Sequence, residues 1–162
     1  MHAFCISRPY ASGLPETTKE KPKETVKIET AESLYDQGMK FFNGDGVAQN
    51  YYEAANLFAQ ASNKGSGSAQ CRLGVMYQDG LFYKKNLSEA VEWFKKSADQ
   101  GCAEAQFNLG GCYYKGLGVE KNISEAVNWF RKSADQGYVP AQVSLGFVMN
   151  MVQESTKTLA KR

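Results

Sequence analysis

Histidine is all but missing from this chain. Of its 162 residues one is a histidine, His2, at the extreme N-terminus. A Ser–His–Asp or Cys–His nucleophilic set needs an imidazole held within the fold, so that chemistry is excluded from the body of the protein and no enzyme activity is expected. Cysteine is sparse too. Cys5, Cys71, Cys102 and Cys112 form no CxxC pair and have no histidine near them, apart from His2 beside Cys5. A zinc site needs four well-spaced ligands, so neither a metal nor a cofactor is expected. The four thiols read as free, in a reducing compartment. An apolar run of about 18 residues, enough to cross a bilayer, does not occur, so membrane insertion is not expected. Neither sign of charge prevails: 19 Lys and Arg stand against 17 Asp and Glu, for a net charge of +2. That balance supplies no broad field to recruit nucleic acid or a lipid surface.

The N-terminus lacks the unbroken apolar core of a secretory signal, because Arg8 and Pro9 interrupt Met1–Gly13. A cytoplasmic location is expected. The absence of acids there, with Ser7, Arg8 and Ser12, leaves a short organelle-targeting peptide as the alternative. Residues 14–30 (LPETTKEKPKETVKIET) hold only Leu14, Val26 and Ile28 as large apolar groups. Such a segment buries too little to offset the entropy of ordering its backbone, so residues 1–30 read as a disordered leader.

What the chain does have is a self-repeat of 36 residues from Ala31 to Asn150. Gly38, Gly74, Gly110 and Gly146 form one column. Gly44, Gly80 and Gly116 form a second, and Gly65, Gly101 and Gly137 a third. Asn50, Asn86 and Asn122 share a register, as do Ala54, Ala90 and Ala126, and Phe58, Phe94 and Phe130. A period of that length signals stacked supersecondary units, each burying its apolar face against its neighbours. Within a unit the pattern is helix A, loop, helix B and turn. Ala105, Leu109 and Cys112–Tyr113 make the stripe of an amphipathic helix. Gly116-Leu117-Gly118-Val119 breaks it. Asn122 restarts it as an N-cap, with Glu125 placed for a capping box. Asn50/Glu53 and Asn86/Glu89 repeat that signal. Helices are predicted near 31–43, 51–64, 67–79, 87–100, 103–115, 123–136 and 139–150. The small residues in the glycine and alanine columns let helices approach closely, with Trp93, Phe94, Trp129 and Phe130 filling the space between them. The fold class is therefore all-α: a solenoid of antiparallel helix pairs, about three and a half units over 31–150, with residues 151–162 as a polar tail or cap.

Other patterns are absorbed by the repeat. Gly44-Asp45-Gly46 and Gly116-Leu117-Gly118 resemble phosphate cradles, but no strand precedes them and no Gly-Lys-Ser/Thr follows. Asn86-Leu87-Ser88 and Asn122-Ile123-Ser124 match a glycosylation pattern that helix capping already explains. Glu92 and Lys96 are an i, i+4 surface pair. Lys95, Lys96, Arg131 and Lys132 fall in helix-B columns expected on the outer side.

The columns resemble the Sel1-like repeat family, a relative of the tetratricopeptide repeat with a longer loop. AEAQFNLGGCYYKGLGVEKNISEAVNWFRKSADQG (Ala103–Gly137) fits that pattern almost throughout. Ser68–Gly101 fits nearly as well, with Phe82 in place of a loop glycine. The resemblance implies a non-catalytic adaptor or scaffold that binds a protein or peptide. It implies two alternatives: a weak penicillin-directed hydrolase of the cysteine-rich type, or a regulatory fragment of a larger repeat protein. In the cysteine-rich subfamily a disulfide ties late helix B to early helix A. The matching positions here are Ala98 and Gln106, and Ala134 and Gln142, which disfavours the hydrolase.

By the tetratricopeptide analogy helix A lines the concave face. The partner-facing residues are then Tyr35, Met39 and Phe42 in unit one, and Gln70, Val75 and Gln78 in unit two. Gln106, Phe107 and Tyr114 follow in unit three, and Val143 and Phe147 in unit four. Cys71, Gly111 and Asn150 occupy the same columns. The lining is apolar and aromatic, with no basic residue to clamp an acidic C-terminus. It implies a groove for an extended or helical apolar segment, with Phe107 and Tyr114 as anchors. The oligomeric state is left open.

Overall fold

The computed structural model of the protein describes residues 29–160. Among these there is no strand, and seven helices follow one another: α1 (Ala31–Asn43), α2 (Tyr51–Asn63), α3 (Gly67–Asp79), α4 (Leu87–Asp99), α5 (Ala103–Lys115), α6 (Ile123–Asp135) and α7 (Val139–Ala160). The first six end within one residue of the predicted bounds. The seventh does not: it runs to Ala160, where an end near 150 was expected. The cause lies in one column. Gly44, Gly80 and Gly116 close α1, α3 and α5 in the left-handed conformation, with φ of 79°, 75° and 71°. The same column in unit four holds Val152. Nothing stops the helix there, and the tail continues it. Of the leader expected over 1–30, all but Glu29 and Thr30 lies outside the described residues, with His2 and Cys5. Thr30 belongs to the fold, where its hydroxyl accepts the Ser33 N–H as N-cap of α1.

Asn50, Asn86 and Asn122 cap α2, α4 and α6 by accepting the backbone N–H of Glu53, Glu89 and Glu125. The reciprocal half of the expected capping box is not made. Each asparagine N–H instead donates 2.9 Å to a helix-A carbonyl, of Phe41, Tyr77 or Tyr113. That bond ties the start of helix B to the end of helix A and leaves the glutamate no donor to reach.

Within each unit α1 packs on α2, α3 on α4 and α5 on α6. Between units α2 meets α3, α4 meets α5, and α6 meets α7. The closest approach inside a unit is between a glycine and a ring. A Cβ built on Gly38 would stand 2.6 Å from the Phe58 ring, on Gly74 2.6 Å from Phe94, and on Gly110 2.7 Å from Phe130. Those three phenylalanines are buried, so the rings have nowhere to go. The Ser97 and Ser133 hydroxyls, also buried, reinforce the pairing by donating 2.6 Å to the carbonyls of Gly67 and Ala103. The tryptophans depart from expectation. Trp93 and Trp129 are only half-buried, and Lys96 and Lys132 stand over their rings at 4.4 and 4.0 Å.

The A–B loop shows why its second glycine matters. At Gly118 (φ 72°) a Cβ would collide with the carbonyl of Leu87 at the start of α4. Phe82 takes the corresponding place in unit two with φ 65°, a strained conformation for a bulky residue. Its ring is exposed against Tyr52, with centroids 5.4 Å apart.

Gly146 shares the column of Gly74, yet no helix B faces it and nothing lies within 4 Å of its built Cβ. Gly74→Ala forces a methyl into Phe94 and should cost about 1–3 kcal/mol. Gly146→Ala should be neutral or stabilising by about 0.5–1 kcal/mol through helix propensity. Thermal or urea unfolding of the two single variants checks the contrast.

Candidate functional site: the concave groove

A cavity of about 450 Å³ opens on the helix-A side, between α5 and α7 with a corner from α3. Its apolar walls are Phe107 and Tyr114 of α5, Leu117 of the loop after it, and Val143, Phe147 and Val148 of α7. Phe130 closes it beneath, and Gln78 reaches in from α3. The helical repeat explains the arrangement. Phe107, Gly111 and Tyr114 recur on one face of α5. Gly111 carries no side chain, so space is left between the two aromatic residues. Val143 and Phe147 stand one turn apart on α7 and are 68% and 63% exposed.

Five of the predicted partner-facing residues thus meet in one place: Gln78, Phe107, Tyr114, Val143 and Phe147. The others are elsewhere. Tyr35, Met39 and Phe42 are half-buried against the core of the first unit. Tyr35 and Phe42 lie 5.8 and 6.1 Å from the Phe58 ring. Val75 packs against the core of the second and third units. Gln70 and Gln106 are 8% and 5% exposed, and their amides are already used. The Gln100 amide donates 2.8 Å to Gln70, and the Gln136 amide 2.7 Å to Gln106. Gln106 also donates 3.2 Å to the Ala98 carbonyl of the preceding unit. Gln70 and Gln106 therefore tie helix A to the end of helix B within a unit, and Gln106 also ties one unit to the next.

Polar groups that the sequence reading did not select also line the cavity: Asn108, Lys115 and Ser144. Asn108 and Ser144 share a column with Asp36 and Arg72, one residue beyond Phe107 and Val143, so their position was available from the repeat. Lys115 corrects the expectation of a lining without basic residues. Arg72, further along the same face, pairs with Glu104 at 2.8 Å. Burial opposes its charge, but the Tyr35 hydroxyl and the Glu104 carboxylate outweigh that and raise its pKa. One guanidinium nitrogen is engaged by Glu104 of unit three, while Nε is buried without a hydrogen-bond partner. Cys112 borders the groove as an inert thiol, pushed up to about 11 by burial. Among the described residues no cluster of His, Cys, Asp or Glu could hold a metal ion, and no helix is long and apolar enough to cross a membrane.

The Sel1 repeat family matches residues 31–66, 67–102 and 103–138. Among solved structures the chain is similar to a protective antigen of uropathogenic Escherichia coli strains displaying an SLR fold. That likeness has 37% identity and a TM-score of 0.68, over 72% of this chain and 25% of that one. It is similar to a Sel1 repeat protein from Oxalobacter formigenes at 32% identity and TM-score 0.68, over 74% and 49% of the two chains. Cysteine rich protein B of Helicobacter pylori follows at 26% identity and TM-score 0.61, over 71% and 88%. The chain therefore spans about a quarter and about half of the first two relatives. No curated protein matches it.

Burial separates anchors from scaffold within the groove. The Phe107 ring lies 5.7 Å from Phe130 and 5.5 Å from Tyr138. Phe107→Ala should lower stability by about 2–3 kcal/mol, and Gln106→Ala by about 1–3 kcal/mol through the unpaired groups it leaves. Phe147→Ala should stay within about 0.5 kcal/mol. Urea unfolding of the three variants distinguishes structural from surface roles.

Proposed function

The chain belongs to the Sel1 repeat family, and on that premise we propose that it is a non-catalytic adaptor holding a short apolar segment of a partner protein between α5 and α7. Repeats of this family commonly serve as protein–protein interaction scaffolds, which makes protein binding the natural reading. The observation that carries the specific site is the pairing of an open cavity with large apolar side chains left exposed at its rim. Val143 and Phe147 stand largely in solvent beside about 450 Å³ of space. A contiguous apolar surface of this kind marks a binding site. Phe107 and Tyr114 form the floor, and Phe147 and Val143 are the flank a ligand would cover. Asn108, Lys115 and Ser144 supply donors at the edge, enough to fix the orientation of a backbone. Few charges line the groove, so affinity rests on burial rather than on ion pairs.

A random peptide library displayed against the immobilised chain tests this. Selected peptides should carry two or more large apolar residues. The double variant Val143→Ala, Phe147→Ala should weaken them by ~2 kcal/mol, about thirtyfold, with no change in melting temperature. Lys95→Ala with Lys132→Ala on the outer face should leave binding intact. Peptides that ignore the first pair and respond to the second would place the binding surface on the convex side.

A further inference from the structure

Two columns of the repeat face each other between units, and in one place both hold cysteine. The first column caps helix A: Thr30, Ser66, Cys102 and Tyr138. Thr30 and Ser66 accept the N–H of Ser33 and Ala69 at 3.1 and 3.2 Å. Cys102 has nearly the backbone of Ser66, with φ −65° and ψ 114° against −68° and 109°, yet makes no side-chain cap bond. The second column is Tyr35, Cys71, Phe107 and Val143. Its contact with the first is visible one unit on, where Phe107 and Tyr138 lie 5.5 Å apart. At the α3–α5 junction the same two positions hold Cys71 and Cys102, and Cys102 packs against the buried cluster that contains Cys71.

We propose that Cys71 and Cys102 are a redox-active dithiol, oxidised reversibly by small disulfides to a bond that joins α3 to the N-terminus of α5. The two sulfurs are unequal in the way such a pair requires. Cys102 is half-buried and reachable, whereas Cys71 is fully buried beneath it. Cys71 beside it draws the Cys102 pKa down, although burial and Glu104 oppose this. A thiolate there occupies the cap position that the hydroxyls of Thr30 and Ser66 hold on α1 and α3, at a helix terminus that favours negative charge. Ser97 adds nothing, because its one proton is committed to the Gly67 carbonyl. Cys71 is held protonated by its neighbour Cys102 and by burial, with the Asn108 amide 3.6 Å from its sulfur. Arg72 and Glu104 beside the pair neutralise each other.

The exchange balances with oxidised glutathione as the oxidant. The Cys102 thiolate attacks one glutathione sulfur, the glutathione S–S bond breaks, and one glutathione thiolate leaves with the electron pair. Cys71 gives up its proton to solvent, its sulfur attacks the Cys102 sulfur of the mixed disulfide, and the second glutathione leaves as thiolate. The leaving thiolates take up protons from solvent. Counted from the dithiol, the protein loses two electrons and two protons, one when Cys102 ionises and one from Cys71, and the oxidant becomes two glutathione thiols.

The test uses the full chain with Cys5→Ser, treated with oxidised glutathione at neutral pH, quenched by alkylation and mapped as peptides. A Cys71–Cys102 cross-linked peptide should form and disappear with dithiothreitol, while Cys112 remains alkylatable on unfolding. Cys71→Ser should instead accumulate glutathione on Cys102, and Cys102→Ser should leave Cys71 a free thiol. Alkylation of Cys102 in the reduced protein should reach half its maximal rate below the ordinary thiol value of ~8.5. Circular dichroism checks that both variants fold, and the cross-link in the parent chain stands independently of them. Glutathione retained on Cys102 in the parent chain, as in the Cys71→Ser variant, would overturn the proposal. So would a Cys102 that reacts no faster than Cys112.

Discussion

The solenoid rests on a ring laid against bare backbone. In each complete unit a phenylalanine of helix B packs on a helix A that has no side chain at that point, as Gly38 with Phe58, Gly74 with Phe94 and Gly110 with Phe130. The glycines cost helix propensity, and what they return is an approach close enough to bury the ring and bring Ser97 and Ser133 within 2.6 Å of a helix-A carbonyl. The spacing of the two helices follows from this contact. The asparagine caps fix the angle of entry into helix B, and the bonds from Gln106 to the Ala98 carbonyl and from Gln142 to the Ala134 carbonyl set one unit on the next.

Among the described residues α7 is the one helix A that no helix B covers. Gly146 has no ring, and Val139, Val143 and Phe147 lie along the helix at more than 60% exposure. The cavity sits between this helix and the last complete unit. Its apolar character thus has two origins: the concave columns common to all units, and the open flank that only unit four presents.

Much of this was legible because the repeat tests every position several times. Three occurrences of Asn, Ala, Phe and Gly at one spacing placed six helices to within a residue. What was lost is informative. The glutamine column read as partner-facing, because an analogy assigned its face and because its acceptors and donors lie about thirty residues away at the end of helix B. No local pattern carries that pairing. The tryptophans read as core from their size, but the neighbouring phenylalanine already fills the space against glycine, and the indole is left at the edge under a lysine. The extension of α7 could have been found, since Val152 stands where three glycines end a helix. Of the groove, the aromatic wall was readable from the columns. The column of Asn108 and Ser144 was available from the repeat but not selected, and Lys115 was not available, because only the packed helices show how far around α5 the cavity extends.

The ring-on-backbone contact is tested most directly at Gly110, whose built Cβ has the Phe130 ring for each of its three nearest neighbours. The measurement is a double-mutant cycle of unfolding free energies for Gly110→Ala and Phe130→Leu. Gly110→Ala should be destabilising in the parent chain and close to neutral once leucine replaces the ring, a coupling of about 1 kcal/mol or more. An equal cost of Gly110→Ala in both backgrounds would mean that the ring does not set the helix spacing, and would contradict the account.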